Sequence, residues 1–482
     1  MGSVEQGESE LPPMVAAVPA EPPLDERVAV LLGDDLAGRV GAALKGYRPR
    51  PTEVGLPVLM ESGGWPWEMG CRWMRDSFAA SRTATRTNYA STVLAWAWWC
   101  WANGVDPAAP TFNDLMDYRD EMLGEGGVKA STWNTYLASI LSWLRWLEAQ
   151  DGVKRVPDST RKLKMAVGGE LVTAVSVDDF IDFRDVGLRG LDIGGVPDVD
   201  FPGVTGERDG VFADLLVSTG MRCSELAHLL LLELPARRAD RRGQLMFLPG
   251  PLCKGGKPRH VEVADGALRR YGNFQQTEWP NVVAAAQSSL RRRNDLLVVR
   301  DVGDGGRVLF GSGWRKTETL SLRERRRLVL TSDVAAGLGL PVQDGWLVSA
   351  AAFPATKGVL QLPASWSGLF RVGLKRANAK RGEVGMPPLP RITPHVLRHT
   401  YGVEYLRAAL AVMNEQDWQA IASDDERKLR RFFMNPLTEL RERLGHAQMD
   451  TTLRYLTVLK QEDPVRHTPW TSWADALFEG GV

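Results

Sequence analysis

The chain has 482 residues, of which 44% are hydrophobic and 24% are charged, and its formal net charge is zero. This composition is typical of a globular protein, and the length predicts two or three domains. The apolar runs fall well short of the roughly 18 to 20 residues of a membrane span, and the acidic, proline-rich N-terminus is unlike a signal peptide. We therefore expect a cytoplasmic protein without a membrane partner.

Charge is distributed unevenly along the chain. Residues 1–40 hold eight acidic and two basic residues, which leaves 57 of the 59 bases and 51 of the 59 acids, a charge of +6, for the rest. A modestly basic body is compatible with nucleic-acid binding. Local basic runs either follow a phosphate backbone or lie on solvated faces. These runs are Arg237-Arg238, Arg241-Arg242, Arg291 to Arg293, Arg323 to Arg327, Lys375-Arg376 and Lys380-Arg381.

Residues 1–60 contain repeated Pro, Gly and acidic residues without sustained periodicity, so we expect a disordered or variable acidic leader. From 65 to 152 the pattern becomes helical, which predicts one compact all-helical domain. Its helices have predicted caps at Thr85 or Thr87, Thr111 and Ser131, and predicted stops at Gly104 and Gly152. The four cysteines of the chain are scattered without CxxC spacing, which predicts neither a disulfide framework nor a cysteine zinc site.

This helical segment is rich in tryptophan. Trp96, Trp98, Trp99 and Trp101 point in too many directions for one narrow stripe, so at least one indole is expected to face a partner or a neighbouring domain. A tryptophan-rich core is favoured over stacking on bases, because the next helix repeats the pattern. Helix N-termini and hydroxyl groups suit phosphates, so DNA contacts are predicted near Ser131. The residues concerned are Lys129, Thr132 and Asn134.

Residues 153–175 are basic and interrupted by Pro and Gly, which indicates a linker to a larger domain at 176–460. Within that domain a long helical pattern is interrupted at Thr219-Gly220. The interruption places Arg222 at the start of a new helix, with Glu225 one turn later. An arginine at this position can be directed at an anion.

Two short apolar stretches, GQLMFLPG and RHVEVA, flank LCKGGKP and predict a β-hairpin with Lys254 and Lys257 at its tip. A phosphate-binding loop is the alternative. It fails because the spacing differs by one residue and no Ser or Thr follows Lys257. Further along, SWSGLFRVGLKRANA predicts a helix capped by Ser365 or Ser367. Its basic end favours contact with DNA through Lys375 and Arg376.

The stretch from residue 393 to 457 carries the densest chemistry. His395, Arg398 and His399 lie at i, i+3 and i+4, so on a helix they project from one face. His446 follows a second helical run, and Tyr455 comes nine residues later. A cation, imidazoles and a phenol are suited to phosphate chemistry with an oxygen nucleophile. A metal hydrolase is disfavoured, because the glutamate of HExxH is replaced by Val396.

Four motifs in order resemble the tyrosine recombinase, or phage integrase, family. They are STGMRCSEL, KGGKPRHVEV, TPHVLRHTYG and LGHAQMDTTLRY, which together span residues 205–460. The resemblance implies a mainly α fold with a small β-sheet. It also implies that an all-helical core-binding domain at 65–152 and a mixed α/β catalytic domain at 176–460 form a clamp around DNA.

The resemblance also implies roles for individual residues. Arg222 and Arg398 would bind the non-bridging oxygens of the scissile phosphate, and His395 and His446 would donate hydrogen bonds or handle protons. Lys254 would protonate the leaving 5′-oxygen, with Lys257 as the alternative, and Tyr455 would be the nucleophile. Glu225 would support the first arginine, and His399 is interpreted as structural. The resulting 3′-phosphotyrosine implies a reaction without cofactor, metal or ATP.

Implied partners are double-stranded DNA and a homo-tetramer on DNA, with a monomer in free solution and a directionality factor as a candidate accessory. Residues 461–482 would form an amphipathic helix that docks on a neighbouring protomer or packs in cis. Residues 411–435 form a charged segment that is longer than in compact family members. Two alternatives stay open: a topoisomerase-like relaxing enzyme, and an inactive architectural protein of the same fold. The biological role, whether integration, excision, transposition or dimer resolution, is not encoded in these motifs.

Overall fold

A computed structural model describes residues 15–17, 56–60, 66–79, 81, 83–124, 126–166, 173–238, 240–241, 243–415 and 435–462. The chain divides into two compact units, Met1–Glu170 and Leu171–Val482. The division falls inside the predicted linker. Both units are mainly helical and the strands are short, so the predicted mainly α fold with small sheets is confirmed.

In the described residues of unit 1, two short strands are followed by four α-helices. The strands are β1 (Val15–Ala17) and β2 (Pro57–Leu59), and the helices are α1 (Glu68–Phe78), α2 (Thr83–Ala102), α3 (Phe112–Leu123) and α4 (Ala130–Asp151). The two strands pair antiparallel, and Leu59 is fully buried in the core of the unit. Both strands lie within the predicted acidic leader at 1–60, whose disordered or variable character stays a prediction.

Indole rings dominate the core of unit 1. Trp73, Trp96, Trp133 and Trp143 are fully buried, whereas Trp101 is 39% exposed. Two of these indoles donate to main-chain carbonyl groups: Trp96 Nε1 to Pro107 at 3.3 Å and Trp133 Nε1 to Leu163 at 2.7 Å. The interpretation of the tryptophans as a core is confirmed, and the exposed ring matches the expectation that one indole faces outward.

Helix boundaries in unit 1 agree only in part with the predicted caps. Thr111 caps α3 through a reciprocal capping box with Asp114, and Gly152 ends α4 in a left-handed conformation, as predicted. Thr85 and Thr87 lie inside α2, which begins at Thr83. Ser131 lies inside α4, because Lys129 occupies the cap position without a side-chain hydrogen bond.

The first part of the predicted linker belongs to unit 1. Residues Thr160–Leu163 form a 3₁₀ helix, and Leu163 is fully buried in the tryptophan core. Asn134 donates from its amide to the carbonyl of Met165 and accepts from the amide N–H of the same residue, both at 2.9 Å. Because this segment buries a leucine and satisfies its backbone groups, it is folded onto the helices.

Unit 2 begins with α5 (Val177–Asp182), which continues as a π-helical turn over Phe183–Arg189. The remaining helices are α6 (Gly206–Thr219), α7 (Cys223–Ala227), α8 (Asp265–Thr277), α9 (Trp279–Arg291), α10 (Leu322–Arg325), α11 (Ser332–Gly337), α12 (Pro363–Glu383), α13 (Pro394–Glu415), α14 (Pro436–Leu444) and α15 (Met449–Glu462). The predicted cap of α12 at Ser365 or Ser367 is wrong. This helix begins earlier, at Pro363, whose fixed φ and missing N–H suit a first helical position.

Three small sheets accompany these helices. The predicted hairpin is confirmed as β3 (Gly243–Leu248) and β4 (Arg259–Ala264). A second sheet is formed by β6 (Asp301–Gly303), β7 (Arg307–Phe310) and β8 (Gly313–Lys316), and a third has the order β10 (Val348–Ser349), β9 (Leu328–Leu330), β5 (Leu297–Val299). In the third sheet β5 runs parallel to β9, with Leu297 opposite Leu328.

Helix α6 lies at the centre of unit 2 and is buried along most of its length. Phe212 on α6 stacks on Trp366 of α12 with ring centroids 3.6 Å apart. Aromatic contacts of this kind contribute about 0.5 to 1.5 kcal/mol beyond the area that they bury. This packing fixes the end of α6, from which the candidate site begins.

Two predicted segments lie outside the described residues. They are the C-terminal tail beyond residue 462 and most of the charged segment at 411–435. Among the described helices, none is both long and apolar enough to cross a membrane. Within the same residues, no group of three or more His, Cys, Asp or Glu side chains is arranged to hold a metal ion.

Candidate active site

The structure connects seven predicted site residues through contacts within unit 2. Helix α7 and its cap provide an arginine and a glutamate, α13 provides two histidines and an arginine, the turn after α14 provides a histidine, and α15 provides a tyrosine. In that order these are Arg222, Glu225, His395, Arg398, His399, His446 and Tyr455.

A glycine sets the position of the first arginine. Gly220 ends α6 with φ at +63°, and a Cβ atom at this position would lie 2.4 Å from Cδ1 of Tyr401. Only glycine combines this conformation with this contact. The chain then turns so that Arg222 caps α7, and its amide N–H donates to Glu225 Oε2 at 2.8 Å. The predicted helix break and start are confirmed.

Glu225 is fully buried and joins two arginines. Arg222 Nη1 donates to Oε1 at 2.9 Å, and Arg259 donates to both carboxylate oxygens at 3.0 and 2.6 Å. Burial alone would raise the pKa of Glu225, but the hydrogen bonds and charge of Arg259 and Arg222 outweigh it and lower that pKa below its usual value. The carboxylate is therefore ionised and holds Arg222 in place.

Arg259 is a site residue that the motifs did not reveal. It is the first residue of β4, its side chain is 8% exposed, and its Nε donates to the carbonyl of Arg443 at 2.9 Å. Its only sequence signal is a charged residue at the start of a strand that follows the lysine-bearing turn. The contact with Glu225 is made across 34 residues of chain, which local patterns do not report.

Arg398 is buried in the site and is 3% exposed. Its Nη1 donates to the carbonyl of Gly220 at 2.6 Å, and its Nη2 donates to the carbonyl of Leu444. Burial, followed by the charge of Arg222, lowers the pKa of Arg398 to about 9. The guanidinium therefore stays charged at neutral pH and carries a fixed positive charge into the site.

Three arginines bind three consecutive carbonyl groups at the end of α14. Arg259 donates to Arg443, Arg398 to Leu444, and Arg222 Nη2 to Gly445 at 3.3 Å. Carbonyl groups at a helix C-terminus lack intrahelical partners and carry partial negative charge, which cations stabilise. This contact holds the end of α14, and the histidine that follows it, against α7 and α13.

Tyr455 is 1% exposed, and its hydroxyl lies 3.0 Å from Nδ1 of His399. The tyrosine ring packs so closely on α13 that a Cβ atom at Gly402 would lie 2.8 Å from its Cε1. Burial raises the pKa of Tyr455 above 10, although the charges of Arg398 and Arg222 oppose the rise. The interpretation of His399 as purely structural is incomplete, because this imidazole contacts the candidate nucleophile directly.

The histidines around the tyrosine differ in exposure and partners. His395 is exposed, and its ring lies 4.2 Å from that of His399 in an edge-to-face contact. His446 lies parallel to the ring of Tyr455 at 6.1 Å, and its Nδ1 is 3.0 Å from the hydroxyl of Thr452. Burial and nearby cations lower the pKa of His399 to about 4 and that of His446 to about 3. Both imidazoles are therefore neutral at pH 7.

The two candidate lysines lie on the connection of the β-hairpin. Lys254 begins a short 3₁₀ helix that ends at Gly256, and both Lys254 and Lys257 are exposed. Gly255 and Gly256 have φ at +80° and +72°, which permits a tight turn at this point. The two lysines share the same exposure, so the preference for Lys254 stays a prediction.

The predicted DNA-contact residues differ in how they are engaged. Lys129, Thr132 and Lys375 are exposed. The amide of Asn134 is instead occupied by Met165, and Arg376 donates to Asp198 and to the carbonyl of Leu191. The donors of Asn134 and Arg376 thus have acceptors within the fold, and their contact with DNA stays a prediction. A groove of about 510 Å³ is lined by Asn88, Ser91, Thr92, Ala95, Ser131, Thr132, Thr135 and Tyr136.

No protein-family model and no curated protein matches the chain. Solved structures with similarity to it include the Tn1549 transposon integrase in complex with transposon right end DNA. That structure is 13% identical, with 86% of this chain and 98% of that chain covered and a TM-score of 0.48. XerH site-specific recombinase bound to difH substrate is 13% identical, with 90% and 85% covered and a TM-score of 0.41. A lambda integrase dimer bound to a COC′ core site is 11% identical, with 80% and 92% covered and a TM-score of 0.40.

Proposed function

We propose that the chain is a site-specific DNA recombinase of the tyrosine recombinase, or integrase, family, which cuts and rejoins strands through a 3′-phosphotyrosine intermediate. One observation supports this most directly. The buried hydroxyl of Tyr455 lies 3.0 Å from a neutral imidazole, in a site that also contains the guanidinium groups of Arg222 and Arg398. This combination suits attack by an oxygen on a phosphodiester.

The arginines would bind the scissile phosphate. In the transition state negative charge builds up on the non-bridging oxygens, and guanidinium groups that are already fixed in place stabilise that charge. Arg222 is held by Glu225 and Arg398 by two carbonyl groups, so neither needs to reorganise during the reaction. His395, which is exposed beside His399, would donate a further hydrogen bond to the phosphate.

The phenol would act as the nucleophile. Tyr455 Oη attacks phosphorus and transfers its proton to Nδ1 of His399, which is neutral and therefore able to accept it. As the new P–O bond forms, the bond from phosphorus to the 5′-oxygen breaks, and Lys254 or Lys257 supplies the proton to that oxygen. The products are a 3′-phosphotyrosine and a free 5′-hydroxyl. The reverse sequence rejoins the strand and restores the phenol.

The proposal includes double-stranded DNA as the partner, clamped by the two units, and a homo-tetramer as the assembly that exchanges strands. We also expect the protein to be a monomer in free solution and a directionality factor to be its accessory. In unit 1, the hydroxyl and amide groups that line the groove at Thr132 and the exposed Lys129 offer donors and acceptors to a duplex. Integration, excision, transposition and dimer resolution all use this chemistry.

The test is a tyrosine substitution on a nicked suicide substrate, on which the released end diffuses away. Sequencing of DNA trapped on the wild-type protein first supplies the target site. Tyr455→Phe removes the nucleophilic oxygen and should abolish covalent protein–DNA adducts while duplex affinity stays within about twofold of wild type. Tyr405→Phe, a change of the same size on α13, should retain adduct formation.

Adducts that persist in Tyr455→Phe would show that the nucleophile is another residue. Duplex binding by a wild-type protein on which no DNA is trapped covalently would favour the architectural alternative. Relaxation of supercoiled DNA without sequence preference would favour the topoisomerase-like enzyme.

A further inference from the structure

Two arginine-rich runs that are 30 residues apart in sequence lie together at one end of the third sheet, where β5 and β9 begin. Because β5 and β9 are parallel neighbours, the residues that precede them lie at the same end. Arg293 Nη1 donates to the carbonyl of Arg326 at 3.5 Å, and Arg327 Nε donates to the carbonyl of Asp295. Residues 291–295 and 321–327 therefore form one surface, which we call the arginine edge.

The arginine edge has a strong positive charge. It holds seven arginines, and the carboxylates on or against it are those of Asp295, Glu324 and Glu233, which gives a local charge of +4. Asp295 pairs with Arg293 and Arg327, and Glu233 pairs with a buried arginine. The four arginines that are exposed to solvent are Arg291, Arg292, Arg323 and Arg326.

Several cations in the other described basic runs are paired within the fold. Arg376 and Lys380 share Asp198, and Arg381 pairs with Asp182. Arg237 pairs with both oxygens of Asp265. These pairings leave the arginine edge as a surface where the described acids offset fewer than half of the cations. Cations of this density and exposure attract a polyanion and release its counterions on contact.

The arginine edge is anchored directly to the helix of the candidate site. Arg325 is fully buried, binds both oxygens of Glu233, and donates to the carbonyl of His228 at 3.3 Å. Arg326 Nε lies 2.9 Å from Nε2 of the same histidine. His228 directly follows α7, the helix that Arg222 caps, and the separation of six positions from Arg222 to His228 corresponds to a rise of about 9 Å.

We propose that the arginine edge binds the phosphate backbone of duplex DNA outside the site that holds the scissile phosphate. The inference rests on the proposed function for the identity of the polyanion. Guanidinium groups form two parallel hydrogen bonds to a phosphate, which favours arginine for this contact. The anchoring through His228 keeps the edge in fixed register with Arg222, so one duplex engages both.

The experiment measures binding of a random-sequence 30-base-pair duplex to the full chain at increasing KCl. Binding weakens with salt by a slope of about −0.9 for each phosphate contact, so Arg291→Gln with Arg292→Gln should make the slope shallower by about 1.8. Arg237→Gln with Arg238→Gln removes the same charge from a run outside the arginine edge, in which Arg237 pairs with Asp265, and should leave the slope unchanged. Adduct formation by the edge variant at saturating DNA should equal that of wild type.

Equal slopes for the edge variant and its control would overturn the inference while leaving the recombinase proposal intact. A slope that changes equally in both variants would also overturn it, because net charge alone would then explain the effect. Failure of the wild-type chain to bind duplex DNA would overturn the recombinase proposal and the arginine edge together. A selective change in slope with full adduct formation supports a DNA contact outside the chemistry.

Discussion

Two groups of arginines in unit 2 use the same side chain in opposite ways. Arg222, Arg259 and Arg398 lie in the site, where each donates to a carbonyl group at the end of α14 and where Arg398 is 3% exposed. The arginine edge instead exposes four of its seven arginines to solvent. A fixed, desolvated cation recognises one phosphate in one geometry, whereas exposed cations add affinity that salt weakens.

The largest expected difference between the two groups is in catalysis. Arg398→Gln removes a fixed donor from the transition state and should slow adduct formation by about 100- to 1000-fold, as measured by single-turnover kinetics on a suicide substrate. Arg398→Lys keeps the positive charge but loses the planar guanidinium group, so this variant should also form adducts slowly. It serves as a second variant if Arg398→Gln disturbs folding. Arg292→Gln should react at the wild-type rate once DNA is saturating. Similar rates for the Arg398 and Arg292 variants would remove the distinction between the two groups.

The next expected difference is in stability. Arg259→Gln leaves the fully buried Glu225 without its main partner and should lower the free energy of unfolding by about 3 to 5 kcal/mol. Arg292→Gln changes a surface residue and should stay within about 0.5 kcal/mol of wild type. Urea denaturation followed by fluorescence measures both. An Arg259 variant as stable as wild type would show that Arg222 alone compensates the carboxylate.

The smallest expected effect concerns pH. The pKa of His399 is lowered from 6.5 to about 4, so the folded state holds this imidazole neutral. As pH falls from about 6.5 towards 4, the unfolded chain binds a proton that the folded chain does not, and stability is lost in that window. Between pH 7 and 4.5 the unfolding free energy should decline less steeply in His399→Gln than in wild type. The difference in slope should correspond to about one bound proton. A decline as steep as that of wild type would place the pKa of His399 near its ordinary value.

Local sequence patterns were sufficient for much of the site. The spacing of His395, Arg398 and His399 predicted a shared helix face, and the break at Gly220 predicted the start of the helix that Arg222 caps. Each of these features depends on residues within one or two turns. The hairpin was equally accessible, because its strands and its turn lie next to each other in sequence.

Long-range contacts were not accessible in this way. Arg259 reads as an ordinary charged residue until β4 places it beside Glu225. Arg376 reads as a candidate DNA contact until the fold brings Asp198 to it. The contact between His399 and Tyr455 spans 56 residues and depends on how α15 packs on α13. In each case the partner is decided by tertiary packing, which no local pattern contains.

The parallel pairing of β5 and β9 separates the length of the segment between these strands from the charge of the residues that precede them. These two properties usually change together. The chain leaves the first strand, forms the sheet of β6 to β8, and returns to enter the second strand beside it. Insertions or deletions in the segment between β5 and β9 change its length but leave the first residues of both strands where they are. The length of this segment and the positive charge of the arginine edge can thus change independently among proteins that descend from the same fold.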